Sequence, residues 1–409
     1  MQNNHNLFGH SNKFLRIFSC SLLTALVVLF SSCKELIEVE VTALEKMLDK
    51  SLYTSFAVPY TTNVDAVHIN VGLMFRAIAY GDDKFLAINT KGQVAVSTDG
   101  INWTFEEEGA FLLPHAYDVA YGNGKFVAVG GDANSRGKIY VCDSDDTKTW
   151  TSGDITPRTG TQKDRIKYSS ITFYTDITGK SAFVVTGGSS TDSEKLYAAS
   201  DPWTPVGDWR VWPNFENPYE KEALLGTVFG FDRIVAFGKN GLGRVIMQGV
   251  DDRTADRPWS SIDTPVNYAV SDVVGGAYQD TSTKKTTQGV FLAVSSAGNV
   301  ISSDISAVSW KTPTTKKLWE NIDPNTGVIA GRRPLCMSYG NGIFVIGGQA
   351  GNVAISTDQG KTWKSKVMFP GKVDINRIIF VKNRFYFVGG TMQSVSGRIQ
   401  NFIGISPEV

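Results

Sequence analysis

One short phrase recurs seven times along this chain, and nothing else in the sequence limits the fold as strongly. The copies are FLAINT from Phe85, FVAVGG from Phe126, FVVTGG from Phe183, IVAFGK from Ile234, FLAVSS from Phe291, FVIGGQ from Phe344 and FYFVGG from Phe385. By subtraction their starts lie 41, 57, 51, 57, 53 and 41 residues apart. Self-similarity at such a period marks a repeat architecture, in which each unit buries its apolar face only against its neighbours. Every unit reads as strand and turn. The expected fold class is therefore all-β, a seven-bladed β-propeller of four-stranded antiparallel blades.

The first unit sets the pattern. Arg76–Tyr80 reads as strand one, Gly81-Asp82-Asp83 as a turn, Phe85–Asn89 as strand two and Gln93–Ser97 as strand three. Asp99-Gly100 makes a second turn, and Trp103 begins strand four. Gly122-Asn123-Gly124 and Gly340-Asn341-Gly342 repeat the first turn with residues that accept positive φ. The last unit runs Ile375–Val381, Arg384–Gly390 and Arg398–Ser406 and lacks a fourth strand. A stretch within Ser55–Val71, including Ala66–Val71, is the expected donor. It would close the ring with an N-terminal strand and remove the exposed edges. Six blades plus a hairpin is the alternative, because the turn tryptophans at 103, 150, 209, 259, 310 and 363 number six.

Forty basic residues balance forty acidic ones. Removing the first 32 residues, which hold Lys13 and Arg16 and no acid, leaves 38 against 40, a net of −2. That balance excludes the strongly basic footprint of a nucleic-acid binder. Lys13 and Arg16 precede an apolar stretch from Ile17 to Phe30, 14 residues, too short to span a bilayer and suited to an export signal. Leu29-Phe30-Ser31-Ser32-Cys33 resembles the lipobox of bacterial lipoproteins, with Phe30 in place of the usual aliphatic. The resemblance implies cleavage after residue 32 and acylation of Cys33, at roughly 0.8 kcal/mol of membrane affinity per buried methylene. Lys34-Glu35, followed by Glu38 and Glu40, is similar to the signal that sends lipoproteins of Bacteroides-type bacteria to the outer face of the outer membrane. The expected organisation is signal peptide 1–32, tether 33–54 and propeller 55–409. The tether would hold one short helix in which Leu44, Met47 and Leu48 share a face. Cys142 and Cys336 fall in units two and six, too far apart for a disulfide, and read as buried small hydrophobes.

The second turn of several units carries a motif. Ser356-Thr357-Asp358-Gln359-Gly360-Lys361-Thr362-Trp363 matches the Asp-box pattern S-x-D-x-G-x-x-W, and Ser97 to Trp103 is the same with one residue fewer. Degenerate copies run Asp143 to Trp150, Ser303 to Trp310, Ser200-Asp201 with Trp203 or Trp209, and Asp251-Asp252 to Trp259. The carboxylate is expected to accept turn N–H groups and the tryptophan to pack between blades, so these acids are structural. The boxes and the phrase Y-G-N-G-x-F-V-x-x-G-G resemble the BNR/sialidase-like superfamily of propellers over residues ~70–409. That superfamily includes sialidases, other glycosidases, photosystem-assembly factors and non-catalytic surface proteins.

The resemblance implies that functional loops lie on the face of the strand-four-to-one and strand-two-to-three connections. Trp212 and Tyr219 in one such loop and Trp319 in another are candidate platforms for sugar rings. Arg76, Arg333 and Arg377 start the first strands of units one, six and seven, an arrangement suited to an anion. Sialidases also need a Tyr-Glu nucleophile pair, which has no counterpart here, and Phe75-Arg76-Ala77-Ile78 lacks the family proline. Asp118 and Asp272 occupy equivalent channel-facing positions in units two and five, as a glycosidase of another kind would require, and His115 lies beside Asp118. After signal cleavage only His68 and His115 remain, with no metal-ligand spacing; no metal or cofactor is expected.

The sequence thus points to a monomeric, non-catalytic cell-envelope lipoprotein, membrane-bound through Cys33, whose loop-rich face binds a glycan or an envelope protein. A glycoside hydrolase using channel carboxylates and a structural subunit of an envelope complex are the alternatives.

Overall fold

The structure is a computed structural model that describes residues 43–59, 73–106, 112–131, 137–153, 167–175, 179, 181–187, 195–199, 210–211, 224–238, 241–247, 260–261, 269–278, 288–312, 317–319, 331–370, 373–391 and 399–409. Trp212, Tyr219, Ala66–Val71 and Cys33 lie outside these residues, as do the turns expected at Trp203, Trp209 and Trp259.

The described strands form seven antiparallel sheets, six of four strands and one of three. Each sheet contains one copy of the repeat. The first strands are Phe75–Gly81, Ala116–Gly122, Tyr168–Thr175, Leu224–Gly230, Val270–Tyr278, Pro334–Gly340 and Asp374–Val381. Each of these touches the next in that order, and Asp374–Val381 also touches Phe75–Gly81. First strands that line an axis, with meandering sheets running outward, are the architecture of a β-propeller.

The recurring phrase is the second strand of each sheet. Phe85, Phe126, Phe183, Phe291, Phe344 and Phe385 are all buried, as is Ile234. Each such side chain contributes about 1.5–3 kcal/mol through burial. Neighbouring sheets interlock at the end of the first strand. A Cβ on Gly81 would stand 2.0 Å from Tyr121 Cδ1, and one on Gly122 would stand 2.2 Å from Phe173 Cδ2. Glycine there is what lets the next sheet's aromatic ring lie flat against the backbone.

The turns between third and fourth strands follow their sequence. Asp358 accepts from Ser356 Oγ at 2.8 Å and Thr362 N at 2.9 Å, and Gly360 N donates to Ser356 Oγ. Asp99 accepts from Ile101 N and Asn102 N at 2.8 and 2.7 Å, which holds its carboxyl well below the usual range. Trp103, Trp150, Trp310 and Trp363 each donate Nε1–H to the carbonyl three residues earlier, at 2.8 to 3.0 Å. In the Ser303 copy the aspartate follows the serine directly, and Ser303 Oγ is buried without a partner.

Thr54–Ala57 pairs antiparallel with Phe402–Ile405 and supplies the outer strand of the last sheet, Thr54 facing Ile405 and Ala57 facing Phe402. The strand lies upstream of Ala66–Val71, the part of Ser55–Val71 expected to supply it, and those residues lie outside the described ones. Residues 43–48 are helical, and Met47 is fully buried beside Met368, Phe369 and Phe402. Tyr53 donates its hydroxyl to Met47 O at 2.8 Å and sets its ring edge-on to Phe369. Residues 43–53 are thus packed on the body rather than strung out. Cys142 and Cys336 are free and buried, as expected.

Candidate functional site

Every first strand carries a register irregularity near its start, one residue bulged out of the ladder. Such bulges re-aim the side chains that follow. The residues that resume pairing are Ala77, Asp118, Ser170, Gly226, Asp272, Cys336 and Arg377. They are equivalent positions, and together they form one rung around the axis near the strand-four-to-one end.

The chemistry of that rung is concentrated in three side chains. Arg377 Nη2 donates to both oxygens of Asp118, at 2.9 and 2.8 Å. Those residues belong to the seventh and second sheets, so the bond passes over Ala77 of the first, whose methyl leaves room. Asp118 also accepts from Val119 N at 3.0 Å, Ser170 Oγ at 2.7 Å and Ile171 N at 3.1 Å. Asp272 repeats the motif three sheets on, accepting from Val273 N and Met337 N, both at 2.8 Å. In both cases the carboxylate ties its own sheet to the next by capping that sheet's first strand.

Burial and charge act against each other here. Asp118 and Asp272 are 4% and 7% exposed. Burial pushes the Asp272 carboxyl up to about 6, although Arg377 and two backbone N–H groups pull it down. The Asp118 carboxylate raises the Arg377 guanidinium above its ordinary value. Burial likewise raises the Cys336 thiol, whose Sγ lies 3.4 Å from Ile375 O. Arg377 keeps 30% of its side chain exposed against 6% for Asp118.

The rest of the mouth takes separate partners. Arg76 is half-buried with its guanidinium carbon 4.7 Å from the centroid of Tyr117. His115 is exposed at φ 63, its carbonyl accepting from Gly131 N. Arg333 is exposed and holds Gln349 through its backbone, giving N–H to Oε1 and accepting N–H at its carbonyl. Asp374 accepts from Ala350 N, and burial raises its carboxyl.

Two expectations need correction. Trp319 is not an exposed platform. It is 4% exposed, in a core cluster with Leu292, Met337 and Phe344, and a Cβ on Gly348 would strike its ring at 2.5 Å. An aromatic next to a left-handed turn is drawn inward when a glycine opposite leaves a slot for it. The three arginines do not offer one anion a shared clasp, because Arg377 is committed to Asp118 and Arg76 lies on an aromatic ring. Tyr117 was not singled out by the sequence; its signal was position alone, directly before Asp118.

Among the described residues no three of His, Cys, Asp and Glu stand together as a metal site. None of their helices is long and apolar enough to cross a membrane.

No family model matches this chain, and no curated protein matches it. Solved structures do. One is YCF48 bound to D1 peptide, at 10% identity and a TM-score of 0.56, covering 88% of this chain and 96% of that one. Another is YCF48 from Cyanidioschyzon merolae, at 12% identity and a TM-score of 0.53, covering 87% and 98%. At such identities the likeness is one of fold, and that fold is the β-propeller.

Proposed function

We propose that this chain is a seven-bladed propeller, closed by residues 54–57, that binds a partner protein segment at the strand-four-to-one mouth of its channel. Seven sheets with successive contacts between first strands support the blade count. The pairing of Thr54–Ala57 with Phe402–Ile405 supports the closure. The lipobox-like Ser31-Ser32-Cys33 supports export and anchoring in the cell envelope, with the propeller displayed at the outer face of the outer membrane.

The observation that carries binding rather than hydrolysis is the state of the channel carboxylates. A glycosidase needs two carboxyl groups that flank a bond in a cleft. Asp118 is saturated by Arg377, Ser170 and two backbone N–H groups, and Asp272 is buried on the backbone of the next blade. What remains open at the mouth is Arg76 over Tyr117, His115, Arg333 and the exposed part of Arg377. These are donors and an aromatic face, suited to an extended segment with acidic or carbonyl groups. A propeller of the same fold, YCF48, is known with a peptide bound.

The reading predicts that no substrate is turned over. Incubation of the protein with an array of host and plant glycans, with product analysis of each retained sugar, checks it. Cleavage of any glycan would overturn it, and retention without cleavage that is lost in Arg76→Ala would replace the protein partner with a sugar.

A further inference from the structure

We infer that the flank built from residues 43–52 and the outer hairpin of the sixth sheet, Lys361 to Val367, is a docking surface for an anionic phospholipid bilayer. The placement of the N-terminal segment puts these elements side by side. Lys366 Nζ donates to Leu48 O at 2.9 Å, and the Asp49 carboxyl, lowered chiefly by its bonds from Ser51, is lowered a little further by Lys366. Lys46 Nζ donates to Glu408 O at 2.6 Å. Lys364 and Lys366 are two apart on the strand Lys364–Val367, so they share its face.

The two elements carry Lys46, Lys50, Lys361, Lys364 and Lys366 against Glu45 and Asp49, and Lys46 links them to Glu408, which faces Arg384. The acids are largely spoken for. Asp49 accepts from Ser51 N and Ser51 Oγ, Asp358 from its own turn, and Glu408 faces Arg384 at 3.5 Å. Lys46, Lys50, Lys361 and Lys364 are exposed, and so is Leu52, at 45%. Basic side chains around an exposed leucine suit a bilayer surface carrying phosphates.

Chain length argues for the same occupant. This step rests on the proposed acylation of Cys33. Nine residues, 34–42, separate Cys33 from the docked helix, and fully extended they reach about 35 Å at most. Packing of residues 43–53 on the body therefore keeps this flank within that distance of the lipid. The acyl chains proposed at Cys33 hold this flank at the bilayer, where exposed lysines are attracted to anionic headgroups.

The test removes the acyl chain so that the two ideas fail separately. Protein lacking residues 1–33, and so both the signal segment and the acylated cysteine, is floated with phosphatidylcholine vesicles with or without phosphatidylglycerol as the anionic lipid. Flotation only with the anionic vesicles, reversed by high salt, is expected. Adding Lys50→Gln, Lys361→Gln and Lys364→Gln, three exposed positions, should weaken it at least tenfold with an unchanged melting curve. Equal flotation with both vesicle types, flotation with neither, or indifference to the triple substitution would overturn the inference. Acylation itself is read independently, by incorporation of labelled palmitate into the unmodified chain.

Discussion

At the scale of single residues, three charges on one rung do most of the work. Arg377 neutralises Asp118 inside the channel, and both sit where removal of a partner leaves an uncompensated buried charge. Arg377→Met should therefore destabilise the protein by about 3–5 kcal/mol, measured by urea unfolding. Asp272 behaves differently, because its folded value of about 6 stands above the ordinary 3.8. A raised carboxyl binds its proton more tightly in the folded state. Stability from this group is full below about pH 3.8 and is lost as pH rises through about 6, by up to roughly 3 kcal/mol. Asp272→Asn should flatten that slope, so the difference in unfolding free energy between the two proteins changes between pH 4 and 7 and is constant above. A difference that stays constant across the window would show that Asp272 does not titrate there. Repeat alignment in the sequence put Asp118 and Asp272 at equivalent channel-facing positions and grouped Arg377 with Arg76 and Arg333 at the starts of first strands. It gave no sign that Arg377 and Asp118 bond to each other, since they are 259 residues apart and meet only once the seventh and second sheets flank the first.

At the scale of elements, the S-x-D turns and the packed N-terminal segment carry the testable content. Where serine and aspartate are two apart, the serine hydroxyl both donates to the carboxylate and accepts from the glycine N–H. Where they are adjacent, at Ser303-Asp304, the hydroxyl is orphaned. Ser356→Ala should thus cost about 1–2 kcal/mol, while Ser303→Ala should be neutral or slightly stabilising, by thermal melts of the two variants. This contrast was legible in the spacing, since one residue decides whether the side chains meet. The helix over residues 43–48 was also legible, from the shared face of Leu44, Met47 and Leu48. Its docking was not, because an amphipathic stripe names no partner. Met47→Ala should cost about 2–5 kcal/mol in urea unfolding, and a negligible change would mean the segment is loosely attached.

At the scale of the whole molecule, repetition made the fold readable. Seven copies of one buried second strand, glycine-ended hairpins and a missing last strand led to a propeller with an N-terminal contribution. The mouth was readable only in part. Arg76 was legible as the start of a first strand, and its ring partner Tyr117 was not. Trp319 was misjudged because a loop tryptophan looks the same in sequence whether it faces solvent or a slot above a glycine. The proposed function puts the partner at the mouth and not at the turn-bearing end. Site-specific photo-crosslinking in cells tests it, with a benzoylphenylalanine placed at His115 or Arg333 on the mouth and at Asp145 or Asp304 on the opposite end. Discrete adducts of one common mass from both mouth positions, and none from Asp145 or Asp304, are predicted. Adducts confined to the opposite end would contradict the claim.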